Sequence, residues 1–164
     1  WRIGYILGPK PQDGCVLCAP KTSQADREHL ILYRSKYVFV MLNRYPYANG
    51  HLMVLPYRHV ADLTDLTTDE TADLMYVVQL SCSVLRKVLH PQGLNVGLNL
   101  GEVAGAGLGM HLHMHIVPRW SGDSNFMAVL DDVRVIPESL DSTYLKLAPI
   151  FMQTASEKYQ QFNG

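Results

Sequence analysis

The chain has 164 residues, 48% of them apolar and 18% charged, which is enough for one domain with a substantial core and too apolar for a disordered segment. Its 14 basic and 15 acidic side chains leave a formal charge of -1, which excludes the broad basic field of a nucleic-acid-binding surface. No apolar run is long enough to span a membrane, and no secretory leader is visible.

Residues 1–28 read as an irregular segment, broken by Gly8, Pro9, Pro11, Gly14 and Pro20. They carry Cys15-Val16-Leu17-Cys18. With Cys82 this makes three cysteines, an odd number that argues against a disulfide framework and for a reducing, cytoplasmic compartment. Residues 29–34 and 37–43 read as strands around Ser35-Lys36. Tyr37 to Leu42 is apolar on both faces, as expected of a central, covered strand. Residues 44–50 hold Pro46, Asn49 and Gly50 and read as a loop, and residues 51–55 form another short strand ended by Pro56.

Thr67-Thr68-Asp69-Glu70 opens the longest helix, with Thr67 as cap and Glu70 at the capping-box spacing. Leu74, Val77, Val78, Leu85, Val88 and Leu89 then fall on one helical face, and His90-Pro91 with Gly93 stops it. Residues 94–100 read as a strand, 101–109 as a glycine-rich turn, 110–117 as the next strand, and 139–161 as a second helix. The connections are mostly too short for parallel crossovers. The expected fold is therefore α+β, one domain over residues 1–164, with an antiparallel sheet, one long helix packed on it and a C-terminal helix.

The chemistry concentrates in His111-Leu112-His113-Met114-His115-Ile116-Val117-Pro118-Arg119. A strand has a side-chain period of two, so the three histidines line one face and Leu112, Met114 and Ile116 the other. Packing alone is a poor explanation, because three adjacent imidazoles need three sets of partners. Two readings stay open. Three imidazoles can bind a catalytic zinc. Alternatively, one can act as a nucleophile while its neighbours fix its tautomer and receive a phosphate.

The Cys15–Cys18 pair has three readings. A thioredoxin-like redox pair wants a βαβ context, which is absent. Two buried thiols are the plain alternative. Half of a structural zinc site is the third, and it needs two further ligands.

Residues 111–117 match His-φ-His-φ-His-φ-φ, with φ apolar, and so resemble the histidine triad family over roughly residues 15–127. The resemblance implies that the middle histidine, His113, is a nucleophile toward a nucleotide phosphate. Asn43 and His51, eight residues apart, look like the family's ribose-binding segment. Asn99 sits where the family has an amide facing the phosphate. By that likeness Asn43 holds ribose hydroxyls, while His51 and His115 steady the phosphate and His113. Some family members bind zinc through two cysteines, a histidine after a Pro-x-x step and the first triad histidine. Here those positions are Cys15, Cys18, His59 and His111. A homodimer joining two sheets is also implied.

Glycines Gly101, Gly105, Gly107 and Gly109 precede the triad, where backbone N–H groups can form an anion-binding nest. Hydrolases and phosphoramidases of the family read Gly-Gln-Ser/Thr-Val there, whereas this chain has Gly107-Leu108-Gly109-Met110. Ala104-Gly105-Ala106-Gly107, Pro118-Arg119-Trp120 and the stretch Gly122 to Met127 look more like the family's bacterial diadenosine tetraphosphate phosphorylases. The implied reaction is phosphorolysis of that dinucleotide to ADP and ATP, with inorganic phosphate as co-substrate and Arg119 helping to attract it. The expected partners are small-molecule adenine nucleotides, dinucleoside polyphosphate, AMP and ATP, with no nucleic acid and no membrane. Hydrolysis of a dinucleoside polyphosphate or nucleoside phosphoramidate is the enzymatic alternative, and a non-catalytic AMP-binding protein the other.

Overall fold

The computed structural model describes residues 15–20, 22–104, 111–123 and 138–163. Gly105, Gly107 and Gly109 of the glycine-rich turn, and Ser124 to Met127 of the later motif, lie outside the described residues.

Five strands form the sheet: β1 (Ile31–Arg34), β2 (Val38–Leu42), β3 (Leu52–Pro56), β4 (Gly93–Leu98) and β5 (Met114–Arg119). Their spatial order is β1-β2-β3-β5-β4, and every neighbouring pair is antiparallel. The arrangement follows from chain length. β1, β2 and β3 are joined by loops too short for a crossover, while the 22-residue helix α1 (Thr68–Leu89) lies between β3 and β4. β2 is buried along its whole length, as its two apolar faces require.

Helix α1 starts where its cap chemistry dictates. The Thr67 hydroxyl accepts from the Glu70 N–H, and the Glu70 carboxylate accepts from the Thr67 N–H. Arg58 also donates to Glu70 at 2.7–2.8 Å and holds its carboxyl down at about 2. The helix ends at His90, which adopts the left-handed conformation at φ 49, just before Pro91. Gly93 plays no part in the stop and instead begins β4.

The alternating side chains of the sheet divide between two layers. Leu32, Val38, Val40, Leu42, Leu52, Val54 and Ile116 face α1 and the C-terminal helix α2 (Leu140–Asn163), meeting Leu74, Val77, Leu80, Leu85, Leu147 and Phe151. Ile31, Phe39, Met41, Met53 and Leu55 face the other way, under Leu17 and the flanking Cys15 and Ala19. No helix among the described residues is long and apolar enough to cross a membrane.

Most strand boundaries shift by one or two residues from expectation, and two of the shifts bear on the histidines. β4 ends at Leu98 rather than residue 100, and β5 starts at Met114 rather than residue 110. The β3–β5 ladder stops at Val54↔Met114. Pro56 has no N–H to continue it, and its carbonyl accepts from the His111 side chain instead. The Leu112 N–H donates to the Val60 carbonyl at 2.6 Å. His111 and His113 therefore precede the strand rather than lying on it, and only His115 is a strand residue.

Candidate active site and metal centre

His115 lies across β3 from Met53, so it emerges on the sheet face opposite the helices. His51 precedes β3 on the same face and is completely buried. Its Nε2 lies 2.9 Å from His115 Nδ1. The backbone fixes the tautomers of this pair. The Tyr47 N–H can only donate, and it points at His51 Nδ1 from 3.1 Å. In the neutral ring Nδ1 is then the acceptor, so Nε2 carries the proton and donates to His115 Nδ1. The proton of neutral His115 is consequently on Nε2. The Tyr47 ring stacks on His51 with centroids 4.9 Å apart.

His113 has its tautomer set the same way, by a carbonyl that can only accept. Nδ1 lies 2.8 Å from the His111 carbonyl oxygen, so Nδ1 carries the proton and Nε2 keeps a lone pair. The ring is nearly buried and meets His115 edge-on at 4.7 Å. The arrangement sets an imidazole nitrogen with a lone pair beside an imidazole N–H.

His111 turns away from these two rings. Its Nε2–H donates to the Pro56 carbonyl at 2.9 Å, leaving the Nδ1 lone pair toward the sulfurs of Cys15 and Cys18, each at 3.6 Å. Burial is the main influence pushing this imidazole's pKa below its ordinary value, which keeps it neutral and able to ligate. His59 Nδ1 stands 3.4 Å from Cys18 Sγ. The ligand atoms of Cys15, Cys18, His59 and His111 all lie within 4.8 Å of one another, so these four residues could hold a metal ion. Burial, and then the neighbouring Cys15, push the Cys18 thiol up, as expected of two sulfurs that cannot both ionise without a cation between them. Among the described residues this is the metal-capable group, and it takes one histidine of the three rather than all.

The remaining candidates are placed as follows. Asn43 braces the loop before β3: its Oδ1 accepts from the Tyr45 N–H at 2.9 Å, and its Nδ2 lies 3.4 Å from His51 Nδ1. Asn99 follows β4, whose Leu98 pairs with Met114 at the histidine end of the sheet. Arg119 lies four residues beyond His115 on β5, roughly 13 Å along an extended strand. There it makes a bidentate pair with Asp123, which raises its pKa, and donates to Asn95. The structure thus brings His51, His113, His115 and Asn43 together, gathers Cys15, Cys18, His59 and His111 beside them, and sets Arg119 apart. Three groups escaped the sequence: the Tyr47 N–H and the carbonyls of Pro56 and His111. Backbone groups have no residue-type signal, although Tyr47 lies within the segment singled out around Asn43 and His51.

Residues 24–122 match the HIT domain family model. The chain is 50% identical over 124 residues to the AP-4-A phosphorylase of Mycobacterium tuberculosis (strain H37Rv), covering 76% of this chain and 64% of that protein. It therefore spans less than two thirds of that relative's length. It is 31% identical over 129 residues to the asymmetrical bis(5'-nucleosyl)-tetraphosphatase of Schizosaccharomyces pombe, covering 79% of this chain and 66% of the relative. Among solved structures, a zinc-bound histidine triad family protein from Mycobacterium smegmatis superposes with a TM-score of 0.64 at 29% identity, over 78% of this chain and 87% of that one.

Proposed function

The chain belongs to the HIT family, and from that premise we propose that it is a nucleotidyl-transferring enzyme whose nucleophile is His113 and whose preferred reaction is phosphorolysis of diadenosine tetraphosphate. The observation that carries the proposal is the tautomer pattern: an Nε2 lone pair on His113 beside an Nε2–H on His115. His113 Nε2 forms a bond to an α-phosphorus as the bond from that phosphorus to the bridging oxygen breaks and ATP leaves. A phosphate oxygen then attacks the adenylyl group, the P–N bond breaks, ADP departs and Nε2 recovers its lone pair. The His115 Nε2–H donates to a phosphate oxygen as charge builds there. His51 holds His115 in the donating tautomer, Asn43 serves the ribose, and Asn99 faces the phosphate. Gly105, Gly107 and Gly109 supply backbone donors. Arg119, engaged by Asp123 and Asn95, attracts phosphate at a distance through its charge.

Hydrolysis is the second reading, favoured by the likeness to the Schizosaccharomyces pombe tetraphosphatase. Incubation with diadenosine tetraphosphate separates the readings. ADP plus ATP formed only with added phosphate supports phosphorolysis, and AMP plus ATP supports water as acceptor. No turnover at all defeats both and leaves an AMP-binding protein.

We also infer that the Cys15, Cys18, His59 and His111 cluster holds zinc. Two thiols and two imidazoles, one of them His111 with its Nδ1 lone pair fixed by the Pro56 carbonyl, form a donor set that fits that ion. Bound by Cys15, Cys18, His59 and His111, zinc would supply a structural tie between the amino-terminal segment and the histidine stretch. The remaining assignments are a single domain over residues 1–164, supported by helices and sheet sharing one core, and a homodimer, supported by the exposed edge strand β4 with Val96 outward. A cytoplasmic setting is supported by Cys15, Cys18 and Cys82 being outside any disulfide.

A further inference from the structure

The loop that delivers His51 is closed on itself by two backbone bonds. The Asn43 N–H donates to the His51 carbonyl at 2.9 Å, and the His51 N–H donates to the Ala48 carbonyl at 3.2 Å. Neither bond ties the loop to the rest of the molecule. Two neighbours do. Gly50 has φ +74 and packs against Leu85, Leu89 and Pro118. Asn49, on its other side, reaches the first turn of α2.

Both ends of the Asn49 amide are used there. Its Nδ2 donates to Glu138 Oε2 at 3.2 Å, and its Oδ1 accepts from the Thr143 hydroxyl at 3.0 Å. Thr143 is buried to 1% exposure, and its single hydroxyl proton has two acceptors in reach, Asn49 Oδ1 at 3.0 Å and Glu138 Oε2 at 3.2 Å, so all its partners belong to this cluster. Glu138 is ion-paired with Lys146. That pairing, followed by the bond from Asn49, holds its carboxyl below the usual carboxylate range and keeps it an acceptor. The clamp is therefore a polar cluster whose fixed direction is the Asn49 Nδ2 donation to Glu138, and it spans 89 residues of sequence between Asn49 and Glu138. None of Asn49, Glu138 and Thr143 lies on a strand. What lies next to it in the chain is Gly50 and then His51, whose Nε2–H donates to His115.

We propose that Asn49 is a positioning residue through which the C-terminal helix, by way of Glu138 and Thr143, holds the 43–51 loop and so the His51–His115 pair. The kinetic part of this proposal rests on the nucleotidyl-transfer reading above. A loosened Asn49 lets the Tyr47 N–H drift from His51 Nδ1. His51 can then change tautomer, and His115 loses the partner that keeps its proton on Nε2. Such a change affects a donor used mainly as charge develops, so it lowers kcat with little change in KM.

The test uses Asn49→Asp, Asn49→Ala and the double variant Asn49→Asp/Glu138→Gln in the full chain. In the double variant the new amide at position 138 can donate to the new carboxylate at position 49, which restores the contact with its direction reversed. Three quantities are measured: kcat and KM with diadenosine tetraphosphate and inorganic phosphate, the melting temperature, and the imidazole nitrogen NMR shifts of His51 and His115. Expected are a loss of kcat of about ten-fold in both single variants, the size of one to two net hydrogen bonds, moved His51 and His115 signals, and recovery of both in the double variant. Wild-type kcat with unmoved imidazole signals in the single variants would overturn the proposal. So would losses that merely follow the melting temperature and are not recovered by the double variant. If the wild-type protein turns over no nucleotide, the functional reading fails, and the imidazole shifts alone still decide the role of Asn49.

Discussion

The Nδ1–H of His113 donates to the backbone carbonyl of His111 at 2.8 Å, while the side chain of His111 faces the two cysteines. One residue therefore serves two neighbouring centres, its main chain setting the proton on the proposed nucleophile and its ring completing the proposed metal site.

His113→Ala should lose essentially all turnover and keep fold, metal content and nucleotide binding. Reaction of the wild-type protein with labelled diadenosine tetraphosphate without phosphate should leave an acid-labile, base-stable adduct on the peptide containing His113. Turnover near normal in the variant would remove His113 from the reaction.

His115→Ala should slow turnover by about 10²–10³-fold, the cost of one donor aimed at developing charge. His51→Phe preserves the stack with Tyr47 but removes the Nε2–H that orients His115. Its loss should be smaller, on the order of ten-fold. Single-turnover rates measure both, and a larger effect at His51 than at His115 would contradict the order of duties assigned to them.

Metal analysis of purified protein should find about one zinc per chain, and Cys15→Ser should lose it together with thermal stability. Because His111 sits between the two centres, stripping the metal should also slow adduct formation at His113. Protein that is metal-free as purified, and no less stable after the substitution, would contradict the assignment.

Glu70→Gln tests the start of α1 without removing an acceptor for the Thr67 N–H. The Glu70 carboxyl is depressed from about 4.5 to about 2 in the folded chain, chiefly by Arg58. A depressed acid stabilises the fold above its unfolded value and ceases to do so as pH falls through the folded one. The wild-type advantage should be about 1 kcal/mol at neutral pH, discounted for the half-exposed Arg58. It should shrink below pH 4.5 and vanish near 2. Chemical denaturation across that range checks it, and a pH-independent difference would count against the ion pair.

Gly50→Ala should destabilise the fold by about 1–2 kcal/mol, because a side chain at φ +74 is strained and its Cβ would collide with Leu89 Cδ1. Turnover should fall too, since His51 follows directly. Denaturation midpoints and kcat together test this, and an unperturbed alanine variant would show the turn to be less constrained.

Much was legible before any coordinates. The apolar runs Val38 to Leu42 and Leu52 to Leu55 required strands, and Thr67 with Glu70 required a helix start, because period and cap chemistry are local properties. The residue types at 111, 113 and 115 marked the candidate site, and the spacing of Cys15, Cys18, His59 and His111 was read through a family likeness that the structure makes geometrically reasonable. The strand period misled in one respect. It placed three imidazoles together on one face, whereas Pro56 ends the ladder and turns the His111 ring toward the sulfurs.

Which nitrogen of each histidine carries a proton was decided only by the tertiary structure. That choice depends on the Tyr47 N–H and on the carbonyls of His111 and Pro56. Every residue has such groups, and only folding selects which of them faces a given ring. The same holds for Asn49, an ordinary loop residue in sequence, whose partners Glu138 and Thr143 come from the far end of the chain. Residue identity determines which chemistry is available, while the packing of distant backbone determines the protonation and orientation in which it is presented.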